Sequence, residues 1–508
     1  MQIAYKSLFF ILSLFTLFFS QCNDGLPKNE INGKALAAQY CTNCHQLPLP
    51  SDLNKVLWKN HVLPKMGNFM GFYSSKIERE QLIERDKNGK YLISENVFPN
   101  HEIISIENWQ AIQNYYINNA PESLKITPQN ISVNDQLFKA IIPPNKFNIP
   151  STTMVKFNSQ GGLFIGDANT KQFLELNHNF SINTAAELDE APVYLTFTNN
   201  YNYVTSMGSF SPTDAASGSI VQLPKKGSTG AKIVIDHLKR PVNTQYYDMN
   251  GDGLGDFVVC EFGKFEGSLS LYLAQKNGVF IKKILSPNPG ATAIEIKDMN
   301  KDGLPDIVAL FAQAKERISI FYNLGNDYFK EEIVVNFRPS FGSTSISLVD
   351  LDNDGDDDIV YTAGDNADFE MILRPYHGIY FLINDGNNKF VKEFFYPLNG
   401  VYKVVVHDFD NDGDLDMATI CFFPDWLIKP FQNFVYYQNK GNFIFETSTH
   451  SIASKGRWIC MDAADYDSDG DIDLVLGSLI MEVKPKIGIE QLWIEEKIPF
   501  IVLENQIK

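Results

Sequence analysis

The sequence predicts a multidomain protein in which a small all-α domain precedes an all-β propeller, with seven blades as the favoured count. An Asp-rich segment of nine residues occurs five times, each time between two strand-like runs. The first aspartates are 50, 52, 58 and 57 residues apart, and a period near 50 with several short strands per unit is typical of propeller blades. Before the repeats, residues 33–40 and 105–119 carry helical patterns, which predict the α domain.

The blade count follows from the repeats and from two strand pairs before them. The pattern predicts one strand pair at 152–157 and 162–166 and a second at 193–198 and 202–206. Neither pair has an Asp-rich loop between its strands. Two blades without the loop and five with it make seven. Six or eight blades are also compatible with the sequence, because closure of the ring can take a strand from either end.

The chemistry of each Asp-rich loop points to calcium. Oxygen-bearing side chains stand at positions 1, 3 and 5, a glycine at position 6 and a carboxylate at position 9, which suits a hard cation wrapped by a sharply turning backbone. The first half resembles an EF-hand loop, but position 12 holds no glutamate and no helix pattern flanks the loop. The predicted calcium ligands are Asp248, Asn250, Asp252 and Asp256; Asp298, Asn300, Asp302 and Asp306; Asp350, Asp352, Asp354 and Asp358; Asp408, Asp410, Asp412 and Asp416; and Asp465, Asp467, Asp469 and Asp473.

These repeats resemble the integrin-alpha-like calcium-binding propeller repeats of the FG-GAP and VCBS type. The resemblance covers about residues 150–508. It implies about five calcium ions, one per loop, that brace the blades at their turns and have a structural role.

The acidity of the chain is largely local to these loops. The formal net charge is -18, with 61 acidic and 43 basic residues. The five loops hold 22 of the acidic residues, so the rest of the chain has 39 acidic against 43 basic residues. Bound divalent ions would offset much of the charge, and the composition gives no reason to expect nucleic acid as a partner.

The first residues predict export. Residues 1–21 contain a lysine followed by an apolar run that is short for a membrane span, as in a signal peptide. The run ends at Cys22, in a context that resembles a bacterial lipoprotein cleavage site, although Gln21 stands where a small residue is usual. We therefore predict lipidation of Cys22, with plain secretion as the alternative, and a short tether over residues 22–32.

Next comes the motif Cys41-Thr-Asn-Cys44-His45, which is typical of c-type haem attachment. The two thiols would form thioethers with one covalent haem c, and His45 would be the proximal iron ligand. A C-x-x-C pair can also be a redox disulfide or half of a zinc site. The adjacent histidine and the predicted export favour haem.

Residues 33–120 resemble a small class I cytochrome c domain. The stretch from Trp58 to Gly67 resembles the tryptophan-containing segment of such domains that precedes a ligand methionine, which implies Met66 as the second axial ligand. Met70 is the rival, and His61 or His101 would instead make a bis-histidine site.

The remainder of this region is predicted as an insertion, a helix and a linker. Residues 71–100 are polar and form the insertion. In the helix over 105–119, Ser105 caps the start, and a single stripe carries Ile106, Trp109, Ile112 and Tyr116. Residues 121–150 contain five prolines and form an extended linker, with one strand near 138–142, so the propeller begins at 151 and extends to 508.

Two further features of the propeller are open to interpretation from sequence. Cys260, Cys421 and Cys460 cannot all pair with one another, and we expect buried free thiols. The aromatic stretch 422–426 would either line a binding face or pack between blades, with packing favoured.

Together these patterns predict an exported c-type haemoprotein of the periplasm, outer membrane or cell surface. Its cytochrome domain would transfer electrons to or from a redox partner protein, and its propeller would dock a protein or a saccharide. It would touch the membrane through the lipid anchor alone. One alternative is an enzyme whose propeller acts on a sugar, either an oxidoreductase with the cytochrome as its electron acceptor or a lyase. Another alternative is an adhesion lipoprotein.

Overall fold

A computed structural model describes residues 32–158, 161–188, 191–225, 230–367, 371–481 and 488–507. The predicted signal peptide and the predicted lipidation site at Cys22 lie outside the described residues.

Residues 33–119, called the helical segment below, form a small α-helical unit before the propeller. Its helices are α1 (Gly33–Tyr40), α2 (Lys55–Leu57), α3 (Leu63–Phe69), α4 (Lys76–Leu82) and α5 (Ile106–Asn119). A π-helical turn over Trp58–Val62 joins α2 to α3, and 3-10 turns lie at Cys41–Asn43, Pro50–Asp52 and Glu95–Val97. Among the described residues, no helix combines the length and the apolar character needed to cross a membrane.

Helices α1 and α5 cross closely at Gly33. A Cβ atom at this position would lie 2.1 Å from the carbonyl oxygen of Ala111, so only glycine allows this approach. Helix α5 begins as predicted, because Ser105 accepts a hydrogen bond from the Asn108 amide. Trp109, Ile112 and Tyr116 are buried on the predicted stripe. The prediction is wrong for the fourth member, since Ile106 is 49% exposed at the first turn.

Seven four-stranded antiparallel units follow, and the predicted count of seven blades is confirmed. Blade 1 contains β3 (Thr152–Asn158), β4 (Gly162–Asp167), β5 (Gln172–Leu176) and β6 (Ile182–Glu187). Blade 2 contains β7 (Pro192–Phe197), β8 (Tyr201–Ser206), β9 (Gly218–Pro224) and β10 (Lys232–Leu238). Blade 3 contains β11 (Pro241–Tyr247), β12 (Asp256–Glu261), β13 (Ser268–Ala274) and β14 (Phe280–Ser286).

The Asp-rich repeats build blades 3 to 7. Blade 4 contains β15 (Ala291–Lys297), β16 (Asp306–Phe311), β17 (Arg317–Asn323) and β18 (Phe329–Asn336). Blade 5 contains β19 (Ser343–Val349), β20 (Asp358–Ala363), β21 (Gly378–Asn384) and β22 (Phe390–Pro397). Blade 6 contains β23 (Val401–His407), β24 (Asp416–Cys421), β25 (Phe434–Asn439) and β26 (Phe445–Thr449).

Blade 7 closes the ring with a strand from before the propeller. It contains β27 (Trp458–Ala464), β28 (Asp473–Ser478) and β29 (Phe500–Asn505), and its outer strand is β2 (Phe138–Ile141), antiparallel to β29. A 3-10 turn over Ser451–Lys455 precedes β27, and helix α6 (Glu490–Glu496) precedes β29. The short strand β1 (Ser132–Val133) adds to blade 6 in parallel with β26. The stretch 121–150 is therefore more than the predicted linker, because it supplies strands to two blades.

The second strand of each blade is the most buried. In blades 3 to 7 every residue of this strand is buried, because both faces of the sheet pack against neighbouring blades. This packing explains why each acidic loop runs directly into a continuous apolar run.

The antiparallel order of the strands defines two faces of the propeller. The loop after the first strand and the loop after the third strand lie on one face, which carries the five Asp-rich loops and is called the loop face below. The loops after the second and fourth strands lie on the other face, called the docking face.

The helical segment packs on the docking face. Asp52 is 3% exposed, and its Oδ2 atom lies 2.8 Å from Nε of Arg338 in the loop between blades 4 and 5. The Tyr376 hydroxyl of blade 5 donates to the Asp52 carbonyl at 2.9 Å. The carboxylate of this ion pair is buried and the arginine is 29% exposed, so the pair helps to hold the two units together.

A second contact uses the predicted insertion 71–100. Its Glu84 carboxylate accepts a hydrogen bond of 2.6 Å from the Thr213 hydroxyl of blade 2 and pairs with Lys264 of blade 3. The ring of Phe265, also of blade 3, packs against Phe69 and Phe98, with its centroid 6.0 Å and 5.0 Å from theirs. The insertion thus helps to anchor the helical segment on the propeller.

We predict that Arg338→Ala loosens this docking. The substitution leaves the buried Asp52 carboxylate without its cation, which costs about 3–5 kcal/mol. Hydrogen exchange should show faster exchange in the helical segment, while the strands of blades 1 to 3 stay protected. The control is Arg85→Ala, which removes an exposed pair with Glu80 and should change little. Equal exchange in both variants would contradict the docking role of Asp52.

Candidate functional site

Each Asp-rich loop is folded around the aspartate at its first position. In blade 3, the Asp248 carboxylate accepts hydrogen bonds from the amides of Gly251 at 2.8 Å and Gly253 at 2.9 Å. The bond from the position-six glycine recurs in the other four repeats. That glycine has a φ between 84° and 98° in all five loops, a conformation that other residues adopt only with strain.

In three loops the carboxylates converge. Blades 5, 6 and 7 each bring three aspartates together so that one oxygen from each lies within 4.8 Å of the others. These groups are Asp350, Asp352 and Asp358; Asp408, Asp410 and Asp412; and Asp465, Asp467 and Asp473. Three converging carboxylates could bind calcium, which takes oxygen ligands.

The loops of blades 3 and 4 differ at the third position. Asn250 and Asn300 stand there, so each loop has one carboxylate fewer among its predicted ligands. In blade 4 the Asn300 amide donates to Asp302 at 2.9 Å. Fewer charged ligands should give weaker cation sites in these two blades.

The aspartate at position nine acts as a structural latch that the sequence did not reveal. In blade 3, Asp256 is fully buried, and its carboxylate accepts hydrogen bonds from the amides of Met249 at 3.0 Å and Ala274 at 2.8 Å. The first amide belongs to the loop and the second to the third strand. The corresponding aspartates of blades 4 to 7 make the same two bonds.

Electrostatics favour a cation on the loop face. Burial raises the pKa of the Asp416 and Asp473 carboxyls to about 6. Burial and the neighbouring carboxylate of Asp469 raise the pKa of Asp471 to about 7. A raised pKa shows that the carboxylate form is disfavoured, and a divalent cation would relieve this cost.

The residues of the predicted haem site lie together at the end of α1. Cys41 begins the 3-10 turn that follows the helix, and the amides of Cys44 and His45 both donate to the Cys41 carbonyl at 3.3 Å. Both cysteines are free thiols, with Cys44 exposed. Nδ1 of His45 lies 2.9 Å from the carbonyl oxygen of Gln46, so with the proton on Nδ1 the other ring nitrogen, Nε2, is the one that could bind a metal.

The two candidate methionines lie in the same apolar cluster as Cys41. Met66 and Met70 are both partly buried and pack, like Cys41, against the core formed by α1, α3 and α5. His101 is exposed, and its Nδ1 lies 2.7 Å from the Asn100 side chain.

The remaining residues of interest in the propeller are three cysteines and the aromatic stretch 422–426. Cys260 and Cys421 are buried free thiols and Cys460 is a partly buried one. Phe422, Phe423 and Trp426 are at most 8% exposed. Packing, and not an exposed binding face, accounts for this aromatic stretch.

Comparison with known proteins agrees with the geometry of the repeats. Residues 248–309 and 298–361 each match the family described as FG-GAP-like repeat. The chain thus carries FG-GAP-like repeats in a seven-bladed β-propeller, preceded by a short helical segment.

Similarity to solved structures is weak. The chain is 9% identical to Saccharomyces cerevisiae Sqt1 over 74% of this chain and 99% of that one, with a TM-score of 0.44. It is 14% identical to the catalytically inactive virginiamycin B lyase from Staphylococcus aureus with quinupristin, over 72% of this chain and 98% of that one, with a TM-score of 0.45. At this level, neither says anything about what this chain does.

We predict that chelation of divalent cations lowers the melting temperature. A ligand that binds only the folded state stabilises it by about 2.7 kcal/mol per site at a concentration 100 times its Kd. Calorimetry in EDTA and in calcium measures the difference. Asp465→Asn should shrink the calcium effect, whereas the exposed outer-strand change Asp236→Asn should leave it intact. An identical melting temperature with and without EDTA would refute calcium binding.

We predict that the latch aspartates stabilise the folded protein even without metal. Asp256→Ala leaves two amides without an acceptor, at about 1–3 kcal/mol each, and should lower the melting temperature in EDTA. Asp252→Ala removes an exposed carboxylate and should lower it only in calcium. If the two variants melted alike in EDTA, the latch role would be wrong.

Proposed function

We propose that this protein is an electron-transfer haemoprotein whose propeller serves as a binding platform. The observation that carries the proposal is the placement of Cys41, Cys44 and His45 on one turn directly after α1, with Met66 and Met70 in the same apolar cluster as Cys41. A bound haem c would supply one-electron chemistry between Fe(III) and Fe(II).

The chain's own residues have separate roles in this proposal. Cys41 and Cys44 hold the porphyrin covalently. His45 would hold the iron, through Nε2 if the proton on Nδ1 is donated to the Gln46 carbonyl. Met66 would be the second protein ligand of the iron, with Met70 one helical turn away as the rival.

In this proposal the propeller is the binding platform, and a partner can reach its loop face. The helical segment covers part of the docking face through Arg338 and Phe265, so the loop face stays open to a partner. Calcium in the repeat loops would brace that face. A redox partner protein, a surface protein or a saccharide would dock on the propeller.

We also propose that the protein is exported. The predicted signal over residues 1–21 and the cysteine at position 22 favour a lipid-anchored protein of the periplasm, outer membrane or cell surface. Lipid at Cys22 would be its membrane attachment.

The first test is spectroscopic. The full chain, matured in a host that attaches c-type haem, should show a c-type visible spectrum in the oxidised and dithionite-reduced states. Denaturing mass spectrometry should give the mass of one added haem. Met66→Ala should lose the sixth-ligand signature while keeping the covalent haem, because the thioethers are intact.

Met70→Ala is the matched control for the axial assignment. It should keep the sixth ligand if Met66 binds, and the reverse result would move the assignment to Met70. A chain that carries no covalent haem would refute the electron-transfer proposal and leave a calcium-braced binding propeller.

A further inference from the structure

The first strands of the seven blades enclose the axis of the propeller. Each of these strands contacts the first strand of the next blade, from β3 through β27 and back to β3. Side chains at their third and fifth positions interact across blades. Gln245 of β11 donates to the Tyr194 hydroxyl of β7 at 3.0 Å, and Lys403 of β23 donates to the Met461 carbonyl of β27 at 2.8 Å. These positions therefore line a central channel.

Four charged residues meet in this channel and are called the channel cluster below: Lys156, Glu295, Lys403 and Asp462. Nζ of Lys156 lies 2.7 Å from Oδ1 of Asp462. The Glu295 carboxylate interacts electrostatically with both lysines, although it lies on blade 4 and they lie on blades 1 and 6. The cluster thus spans the axis, and its two cations and two anions sum to zero charge.

Glu295 stands out in the channel cluster because its carboxylate makes no hydrogen bond or ion pair with the described residues. Burial raises the pKa of this carboxyl, and burial lowers the pKa of the Lys403 ammonium. Glu295 is partly exposed, so its carboxylate is open to a hydrogen-bond donor from a ligand. The Lys156 side chain is 42% exposed, so solvent reaches the channel cluster.

An apolar cluster lies at the docking-face end of the channel. Tyr402 and Ile459, at the second positions of β23 and β27, form an apolar cluster with Phe210, Met371 and Phe422. These residues come from four blades and lie beyond the channel cluster on the docking side. A ligand would therefore enter from the loop face and stop beneath this apolar floor.

We propose that the channel binds a small neutral polyhydroxylated ligand, a single sugar unit, with Glu295 as its main hydrogen-bond acceptor. A net-zero cluster disfavours an ion, because either sign of charge would meet a like charge at low dielectric. Sugar hydroxyls can donate to Glu295 and accept from Lys156 and Lys403 at the same time. This inference deepens the binding-platform part of the proposed function and rests on it.

The test is saturation-transfer NMR and calorimetry on the full, calcium-loaded chain. The probes are the methyl glycosides of glucose, galactose and mannose. We expect binding of at least one probe, and Glu295→Gln should weaken it about tenfold or more, since it removes a charged hydrogen-bond acceptor. Ser347→Tyr adds a bulky side chain at the fifth position of β19 and should abolish binding. Glu332→Gln, on the exposed outer strand of blade 4, should leave it unchanged.

The possible results distinguish failure of the channel site from failure of the electron-transfer proposal. Equal binding by wild type, Glu295→Gln and Glu332→Gln would overturn the channel site, even if Ser347→Tyr failed to fold. A wild-type chain with normal haem spectrum and calcium-dependent melting that bound none of the three probes would overturn the channel site alone. Binding lost in Glu295→Gln from a chain without haem would support the channel and refute the electron-transfer proposal.

Discussion

The buried aspartate at the ninth position of each repeat is the constraint on which the loop face depends. Its carboxylate receives one amide from the loop and one from the third strand of the same blade, as Asp256 does with Met249 and Ala274. Because both amides would otherwise be buried without a partner, the carboxylate determines where the loop can lie. The first-position aspartate then accepts amides of the loop, including that of the position-six glycine, and in blades 5, 6 and 7 oxygens of three aspartates converge.

This arrangement combines a metal-independent latch and a candidate cation site in one short motif, since Asp358 and Asp473 belong to both. The latch is made of hydrogen bonds that exist without metal, whereas the exposed carboxylates repel one another and are relieved by a cation. Burial, with the neighbouring carboxylate of Asp469 adding to it, raises the pKa of Asp471 to about 7. A propeller built this way has a backbone framework that stands on its own and a set of loops whose stability depends on the ionic conditions.

The helical segment and the propeller are fixed to each other by specific contacts. The Asp52 carboxylate of the Asp52–Arg338 pair is buried, and the ring of Phe265 packs against the stacked rings of Phe69 and Phe98. The helical segment thus lies over blades 2 to 5, on the face away from the repeat loops. The channel cluster lies under an apolar floor on that same side, so a ligand in the channel would be kept apart from the segment.

What the sequence determined by itself was local and periodic. The five repeats set the blade period, and loop and strand are adjacent in the chain, so their pairing needs no long-range information. The haem motif and the helix capped by Ser105 are local for the same reason. Only the tertiary structure decided how distant stretches meet. Ring closure by β2, the docking of residues 71–100 and the gathering of Lys156, Glu295 and Lys403 join residues far apart in sequence. Such contacts have no repeating pattern in the sequence, because each is set by the geometry of the closed ring.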